Sequence, residues 1–536
     1  LEAKNKKLTG AAIIVMSSMI VSRITGYLRT ILINNLLTAS QSDSLLAAFK
    51  TTDLMYNLLI GGAISAALIP VLSGYLAKDE EEDGWKAVGT FINVIFIAMI
   101  ILCILGVIFA PWVVSMTAAG FQGQKRELTI QLTRILFPSV AFMMLAGLTN
   151  GVLNSYQRFA AAAYGPSIYN LGVALSIFAL SRYGVRYVAF GVLTSAVIYL
   201  IIQVSFAIPN LRHYKPRIFW QHSGFRRLFK LAIPSLAASA IIQINILITQ
   251  NYISLFKLDG GVTAYANAND LWQLPYGIFA MGLGTALLPT LSEKLALKKV
   301  DEFKEILNNA FKTVLYLIIP SAIAFVILAN PLISVVYKWS QKIDGERIVL
   351  AGFILIMFTA AMIAQSMLAI LTRAFYANND TKTPLFIGIF TMLLNLIFCT
   401  IFYHTTDITH LGPAGMALSY SLISVVYMII MMYIISKKMK GMQWKELGKY
   451  SGRLLVSAFV MGIVLFLLNR VIPLDFTQRF DLHSKVVEIL ALGIEIVLGA
   501  LIYFGGTMLL KVNEAVVIKD KLFAILKKVL RKVKRA

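Results

Sequence analysis

Fourteen apolar runs, each about 20 residues or longer, fill most of this 536-residue chain. They lie near 9–37, 43–76, 87–117, 127–157, 162–181, 187–209, 228–256, 262–292, 305–337, 348–376, 383–403, 411–435, 452–471 and 486–510. A hydrocarbon core of ~30 Å takes about 20 residues of helix to cross, so the runs read as membrane spans. Composition agrees: 58% of residues are hydrophobic and 14% charged, where a soluble domain carries about 25% charged. The least distinct pair is 162–181 and 187–209, separated only by Arg182 to Arg186. Runs well beyond 20 residues imply tilt, kinks or projecting ends.

The net charge of +23 sits between apolar runs rather than as a stripe on a polar domain, which speaks for membrane lipid and against nucleic acid. With the N-terminus in the cytoplasm, inner segments hold 33 of the 49 basic residues and outer loops 11. Both termini are therefore expected to be cytoplasmic. The richest inner segments are 212–230, 437–453 and the tail beyond Lys511. In 519–535, Leu522, Leu526, Val529 and Val533 recur at helical spacing among eight basic residues, which predicts an amphipathic helix lying on anionic lipid. The N-terminal residues lack the apolar core of a cleavable signal, so the first run is expected to remain. Cys103 and Cys399 fall inside apolar runs, which leaves no disulfide framework or Cys-rich metal site.

The sequence repeats. AALIPVLSGYLA at 66–77 and TALLPTLSEKLA at 285–296 share seven of twelve residues at an offset of 219. Pro111 and Pro331 are 220 apart, and Pro166 and Pro384 are 218 apart. A period of six spans puts both halves in the same orientation, as in transporters that bind cargo between repeats near the membrane midplane. The fold class expected is an all-α integral membrane protein of about fourteen helices, with two parallel six-helix repeats and two extra C-terminal helices. The expected domains are a first lobe over 1–210, a basic linker over 211–227 and a second lobe over 228–436. Two added helices over 437–511 and a basic tail over 512–536 complete the chain.

Ionisable groups inside spans are costly, and each is a functional candidate. Arg23 and Arg29 in SRITGYLR have no acid on their own helix at pairing distance, so they call for partners elsewhere or an anionic ligand. Asp43 opens span 2, followed by Lys50 and Asp53; Asp270 lies in span 8 and Glu495 in span 14. Counting from the loop ends at ~1.5 Å per residue places Arg29, Lys50, Asp53, Arg134, Asp270 and Glu495 roughly 10–15 Å below the outer surface. Asp43, Asp53, Asp270 and Glu495 are the expected gate or charge layer, with Asp270 predicted to pair with Arg29 or Lys50 when the outer side is shut. Asn267 and Asn269 offer polar lining for a ligand, or equally hydrogen bonds between helices. The chain has no G-x-x-x-x-G-K-[ST] and no H-E-x-x-H, and its five His residues are scattered in loops. Outer loops are short, so neither catalytic residues nor a metal site is expected.

At SRITGYLR, then SDSLLAAF and GGAISAALIPVL, the chain resembles the MurJ/MviN family of lipid II flippases, within the multidrug/oligosaccharidyl-lipid/polysaccharide exporter superfamily. The likeness continues through LWQLPYGIFAMGLGTALLPTLS and FYANNDTKTP, over most of the first twelve spans. It implies two six-helix lobes in a V, with the last two helices forming a groove for lipid. It also implies movement of undecaprenyl-pyrophosphate-linked peptidoglycan precursor from the inner to the outer leaflet of the bacterial cytoplasmic membrane, by alternating access. Ser22, Arg23, Gly26, Arg29 and Asp43 match the family motif. Thr30 stands where the family usually has an acid, and Tyr56 and Asp270 stand near places that usually carry Arg. The expected substrate-binding set is Ser22, Arg23, Arg29, Lys50, Asn267 and Asn269. Expected partners are the lipid-linked glycan, anionic lipids and cell-wall synthesis proteins, for a monomer. No cofactor is expected; a monovalent coupling cation is left open, without a site. A flippase for another lipid-linked oligosaccharide, a cation-coupled multidrug exporter and an envelope-complex scaffold are the alternatives.

Overall fold

The computed structural model describes residues 2–63, 67–471, 480–517 and 519–520, and among them the chain forms helices and turns with no strand. The first half runs α1 (Glu2–Leu36), α2 (Ala39–Ala63), α3 (Ile69–Leu76), α4 (Glu81–Ile108), α5 (Ala110–Thr117), α6 (Gly123–Ser155), α7 (Phe159–Ala163), α8 (Gly165–Leu180) and α9 (Val185–Ala207). There follow α10 (Ser223–Leu255), α11 (Gly261–Pro275), α12 (Gly282–Ala296), α13 (Val300–Ile327), α14 (Ala329–Tyr337) and α15 (Gly345–Ala377). The chain continues with α16 (Lys382–His404), α17 (Thr406–Thr409), α18 (Ala414–Lys438), α19 (Trp444–Val471) and α20 (Leu482–Leu509). Among the described residues, eleven helical segments are long and apolar enough to cross a membrane. Over the three other predicted runs, α1, α2 and α10 have 35, 25 and 33 residues. All but the first two residues of the predicted amphipathic tail helix lie outside the described residues, as does most of the 472–484 loop.

Helix boundaries recur at the spacing of the sequence repeat. α4 and α13 are both 28 residues long and start 219 residues apart. Each stops at one non-helical residue, Phe109 or Leu328, and a short second helix then opens with Pro in its first turn, at Pro111 or Pro331. A proline there is harmless, because first-turn N–H groups have no helical partner anyway. α6 and α15 are both 33 residues long.

The chain divides into two compact units, one formed by 1–263 with 337–343, the other by 264–336 with 344–536. This differs from the predicted boundary at 211–227. α10 joins the first unit because Phe225, Leu228 and Ala232 enter its core beside Trp85, Phe91 and Leu148. The basic segment before α10 is likewise bound along α4 rather than free. Tyr214 donates to Asn93 (2.6 Å), the Phe219 amide donates to Thr90 Oγ1 (3.0 Å), and His222 Nε2 meets Asp83 at 3.2 Å.

Small residues set the tightest packing, since apolar area gives little drive to associate helices within lipid. A Cβ on Gly172 would come within 2.9 Å of Ser195, and one on Gly191 within 2.5 Å of Ser176. That reciprocal pair joins α8 to α9. In the second unit, Tyr265, Trp272, Phe358 and Tyr420 form an aromatic cluster joining α11, α15 and α18. Both cysteines are buried free thiols.

Candidate functional site

Of the intramembrane charges of the first unit, all but Arg134 on α6 lie on α1 and α2. Arg29 donates through Nη1 to Asn170 of α8 (3.1 Å), and its guanidinium lies 5.6 Å from the Phe49 ring centroid. Its Nε is buried with no hydrogen-bond partner. Gly26, one turn earlier, faces the same residue, and a Cβ there would make an ordinary contact with the Asn170 amide nitrogen at 3.8 Å. Asp53 lies within electrostatic reach of both Lys50 and Arg29, and neither cation forms an ion pair with it among the described residues. Tyr56 and Tyr169 face the same carboxylate. Arg23 is exposed and makes no hydrogen bond or ion pair among the described residues, and Ser22 is half-buried beside it. Two cations, Arg29 and Lys50, therefore share one acid, and Arg23 stands apart from it.

Asp43 is a different kind of group. It is fully buried at the start of α2, and both its oxygens are saturated. Oδ2 accepts from Lys125 Nζ and from the Gly260 amide, each at 2.8 Å. Oδ1 accepts from the Thr263 amide (2.9 Å) and the Thr263 hydroxyl (2.7 Å). The carboxylate thus caps the first turn of α11 from another helix, where free N–H groups and the helix dipole favour an anion. Lys125, at the start of α6, also binds Asp259 (2.8 Å) and lies over the Phe121 ring. Beside this cluster the Ala119 amide donates to Asn251 Oδ1 (3.1 Å) and the Gly120 amide to Ser254 Oγ (3.1 Å). A Cβ on Gly120 would stand 2.0 Å from the Ser254 carbonyl oxygen, so only glycine permits this approach. Asn35 completes the corner, its amide donating to the Tyr337 carbonyl (2.8 Å) while its Oδ1 accepts from the Trp339 amide (2.7 Å).

The other predicted residues have other surroundings. Asn267, Asn269 and Asp270 stand together on α11 in the second unit, with Asn269 accepting from Trp272 Nε1 (3.2 Å). The carboxylate that ties elements together at the α1–α2 corner is Asp43, with Lys125 rather than Arg29 or Lys50 as its cation. Glu495 is fully buried on α20, and neither oxygen has a hydrogen-bond partner, so it takes no part in a paired layer of charges among the described residues. Lys125, Asn35 and Gly120 were not singled out by the sequence. Arg373 lies on α15 with its Cγ 3.8 Å from the place a Gly284 Cβ would take, near Tyr276.

The family described as "Lipid II flippase MurJ" matches residues 33–486. The lipid II flippase MurJ of Burkholderia cenocepacia is 29% identical over 429 residues, covering 76% of this chain and 80% of that protein. The probable lipid II flippase MurJ of Rickettsia prowazekii is 29% identical over 506 residues, covering 92% and 96%. Among solved structures, a lipid II flippase MurJ in an inward closed conformation superposes with a TM-score of 0.77 at 23% identity, over 93% of this chain and 98% of that one. An inward-facing multidrug transporter of the MATE family gives 0.64 at 16% identity, which shows a shared fold. The chain is a member of the MurJ family of lipid II flippases, multi-pass proteins of the bacterial cytoplasmic membrane.

Proposed function

We propose that this chain moves lipid II, the undecaprenyl-pyrophosphate-linked peptidoglycan precursor, from the inner to the outer leaflet by alternating access. The observation that carries the reading is the excess positive charge on α1 and α2, where Arg29 and Lys50 share the single acid Asp53 and Arg23 has no partner among the described residues. A diphosphate offers the missing anion. Guanidinium groups bind phosphate oxygens through strong charge-assisted bonds, and a site shielded from water strengthens them. The unpartnered Nε of Arg29 is a donor in waiting for such an oxygen. Ser22 is proposed to add a polar contact to the sugar–phosphate head, and Asn267 and Asn269 to supply polar lining within the second unit.

Asp43 works on closure rather than on cargo, since its four acceptor bonds leave it nothing for a ligand. With both termini cytoplasmic, as the basic bias supports, the α1–α2 corner lies on the outer side. There the Asp43–Lys125–Asp259 cluster would hold the α10–α11 turn shut. The prenyl chain stays in lipid, for which the helix pair α19–α20 provides a lateral surface. A coupling cation, anionic lipids, cell-wall synthesis proteins and a monomeric state remain proposals of the same reading.

Native mass spectrometry of the purified protein tests the cargo. Lipid II is expected to copurify, and Arg29→Ala to lose it. Retention of a different prenyl-linked glycan in its place would overturn the lipid II assignment.

A further inference from the structure

The last two helices hold a group that the cargo and the closing cluster leave unused. Glu495 has no exposed surface, and both its carboxylate oxygens lack a hydrogen-bond partner. It lies mid-way along α20, on the stripe that also buries Lys485, Leu492, Gly499, Tyr503 and Thr507.

Its neighbours can be placed from the packing on either side. Toward one end, Tyr503 donates to the Tyr316 carbonyl of α13 (2.8 Å); toward the other, Lys485 Nζ donates to the Ser334 carbonyl of α14 (2.7 Å). Between these fixed points Glu495 is level with Ala324 to Ile327, an apolar stretch. On α19, a Cβ at Gly506 would meet Ser457 at 3.1 Å and one at Gly499 would meet Leu465 at 3.3 Å. The antiparallel register then puts Glu495 level with Leu468 to Arg470.

The charged and titratable groups on these elements are otherwise engaged or remote. Arg470 is exposed, and its guanidinium rests 4.8 Å from the Phe466 centroid. Lys485 is spent on Glu488 (2.8 Å) and Ser334. Lys312, Tyr316 and Tyr450 lie two or more helical turns toward the other end, Tyr450 donating to the Lys312 carbonyl. An ionised carboxylate in such surroundings costs several kcal/mol even after relaxation, and a group so placed neutralises instead. A metal cation needs several ligands, and no group of His, Cys, Asp or Glu able to hold one gathers around Glu495 among the described residues.

We propose that Glu495 is a proton-binding site of the α19–α20 pair, loaded in this conformation and unloaded when α20 parts from α19 far enough to admit water. The proton passes from the carboxyl to that water, leaving a carboxylate that keeps the helices apart until it is protonated again. The pair that borders the lipid thereby answers to pH. The inference does not depend on the identity of the cargo.

The test uses the full-length protein in lipid vesicles. A hydrophobic carbodiimide, which attacks protonated carboxyls within lipid, should form an adduct at Glu495, read by peptide mass spectrometry. The adduct should form more slowly as pH rises and be absent in Glu495→Gln, while Arg470→Gln leaves it unchanged. Infrared spectroscopy covers the case in which the reagent cannot reach the group: a protonated-carboxyl band present at neutral pH and lost in Glu495→Gln supports the assignment. A carboxylate signal alone at neutral pH, or pH-independent reaction, overturns it. So does an infrared band unaffected by Glu495→Gln.

Discussion

Two carboxylates of this chain are equally buried and have opposite surroundings. Asp43 at the α1–α2 corner accepts four bonds, one from a lysine and two from backbone amides of a helix start. Glu495 in the α19–α20 pair accepts none. Both are acids in apolar runs, and sequence reading placed them in one charge layer. The difference is what lies across from them. Asp43 meets chain ends and a turn, where backbone N–H groups are unsatisfied. Glu495 meets the middle of other helices, whose backbone groups are already paired. A carboxylate facing helix ends finds donors and can hold elements together, whereas one facing helix middles finds none.

The contrast can be broken at Asp43 first, where the largest effect is expected. Asp43→Ala strands four donors, and breaking a buried ion pair costs roughly 3–5 kcal/mol. Hydrogen exchange at the Gly260 and Thr263 amides should accelerate at least ~100-fold. Glu495→Gln, by comparison, should leave exchange in α20 near wild type, since no bond is lost. Equal effects of the two substitutions would erase the distinction.

A smaller effect is expected at Gly120. An added methyl group would press on the Ser254 carbonyl, a backbone atom that cannot turn aside. Overpacking of this kind costs about 1–3 kcal/mol. Gly120→Ala should therefore raise exchange at residues 118–121 and around Ser254, with the α8–α9 packing unchanged. Unchanged exchange at both places would mean that the close approach does not hold the corner.

The smallest effect concerns an acid outside the spans. Asp380, between α15 and α16, is raised by burial but lowered more by hydrogen bonds from Lys438 and Thr383, with a net fall from 3.8 to about 2. A depressed carboxyl stabilises the fold above its unfolded pKa and loses that contribution as pH falls through the folded value. Thermal stability should therefore drop between pH ~4 and ~2, and Lys438→Ala should flatten that drop. A drop of equal size in the variant would show that other acids dominate.

Much of the architecture was legible in the sequence because hydrophobic length and proline position are local signals. The apolar runs gave the long helices, and the Pro111 and Pro331 pair fell at matching helix breaks. Arg29, Lys50 and Asp53 could be picked out because charge within an apolar run is itself unusual. Their companions could not. Lys125 sits 82 residues from Asp43, Asn35 bonds to Tyr337 and Trp339 more than 300 residues away, and Gly120 lies 134 residues from Ser254. Pairings over such separations leave no periodicity to read. The packing of Phe225 and Leu228 of α10 against Trp85 and Phe91 is another long-range pairing that leaves no local signal.

The central claim is that the unbalanced cations of the first unit carry the diphosphate. Its most direct test is lipid II translocation by the purified protein in vesicles, comparing wild type with the Arg23→Ala/Arg29→Ala double variant. Thermal melting establishes that both are folded. The account predicts that the double variant stays folded and loses translocation by at least ~100-fold, the equivalent of two charge-assisted contacts at about 1.5–3 kcal/mol each. Translocation at the wild-type rate by the folded double variant would contradict it.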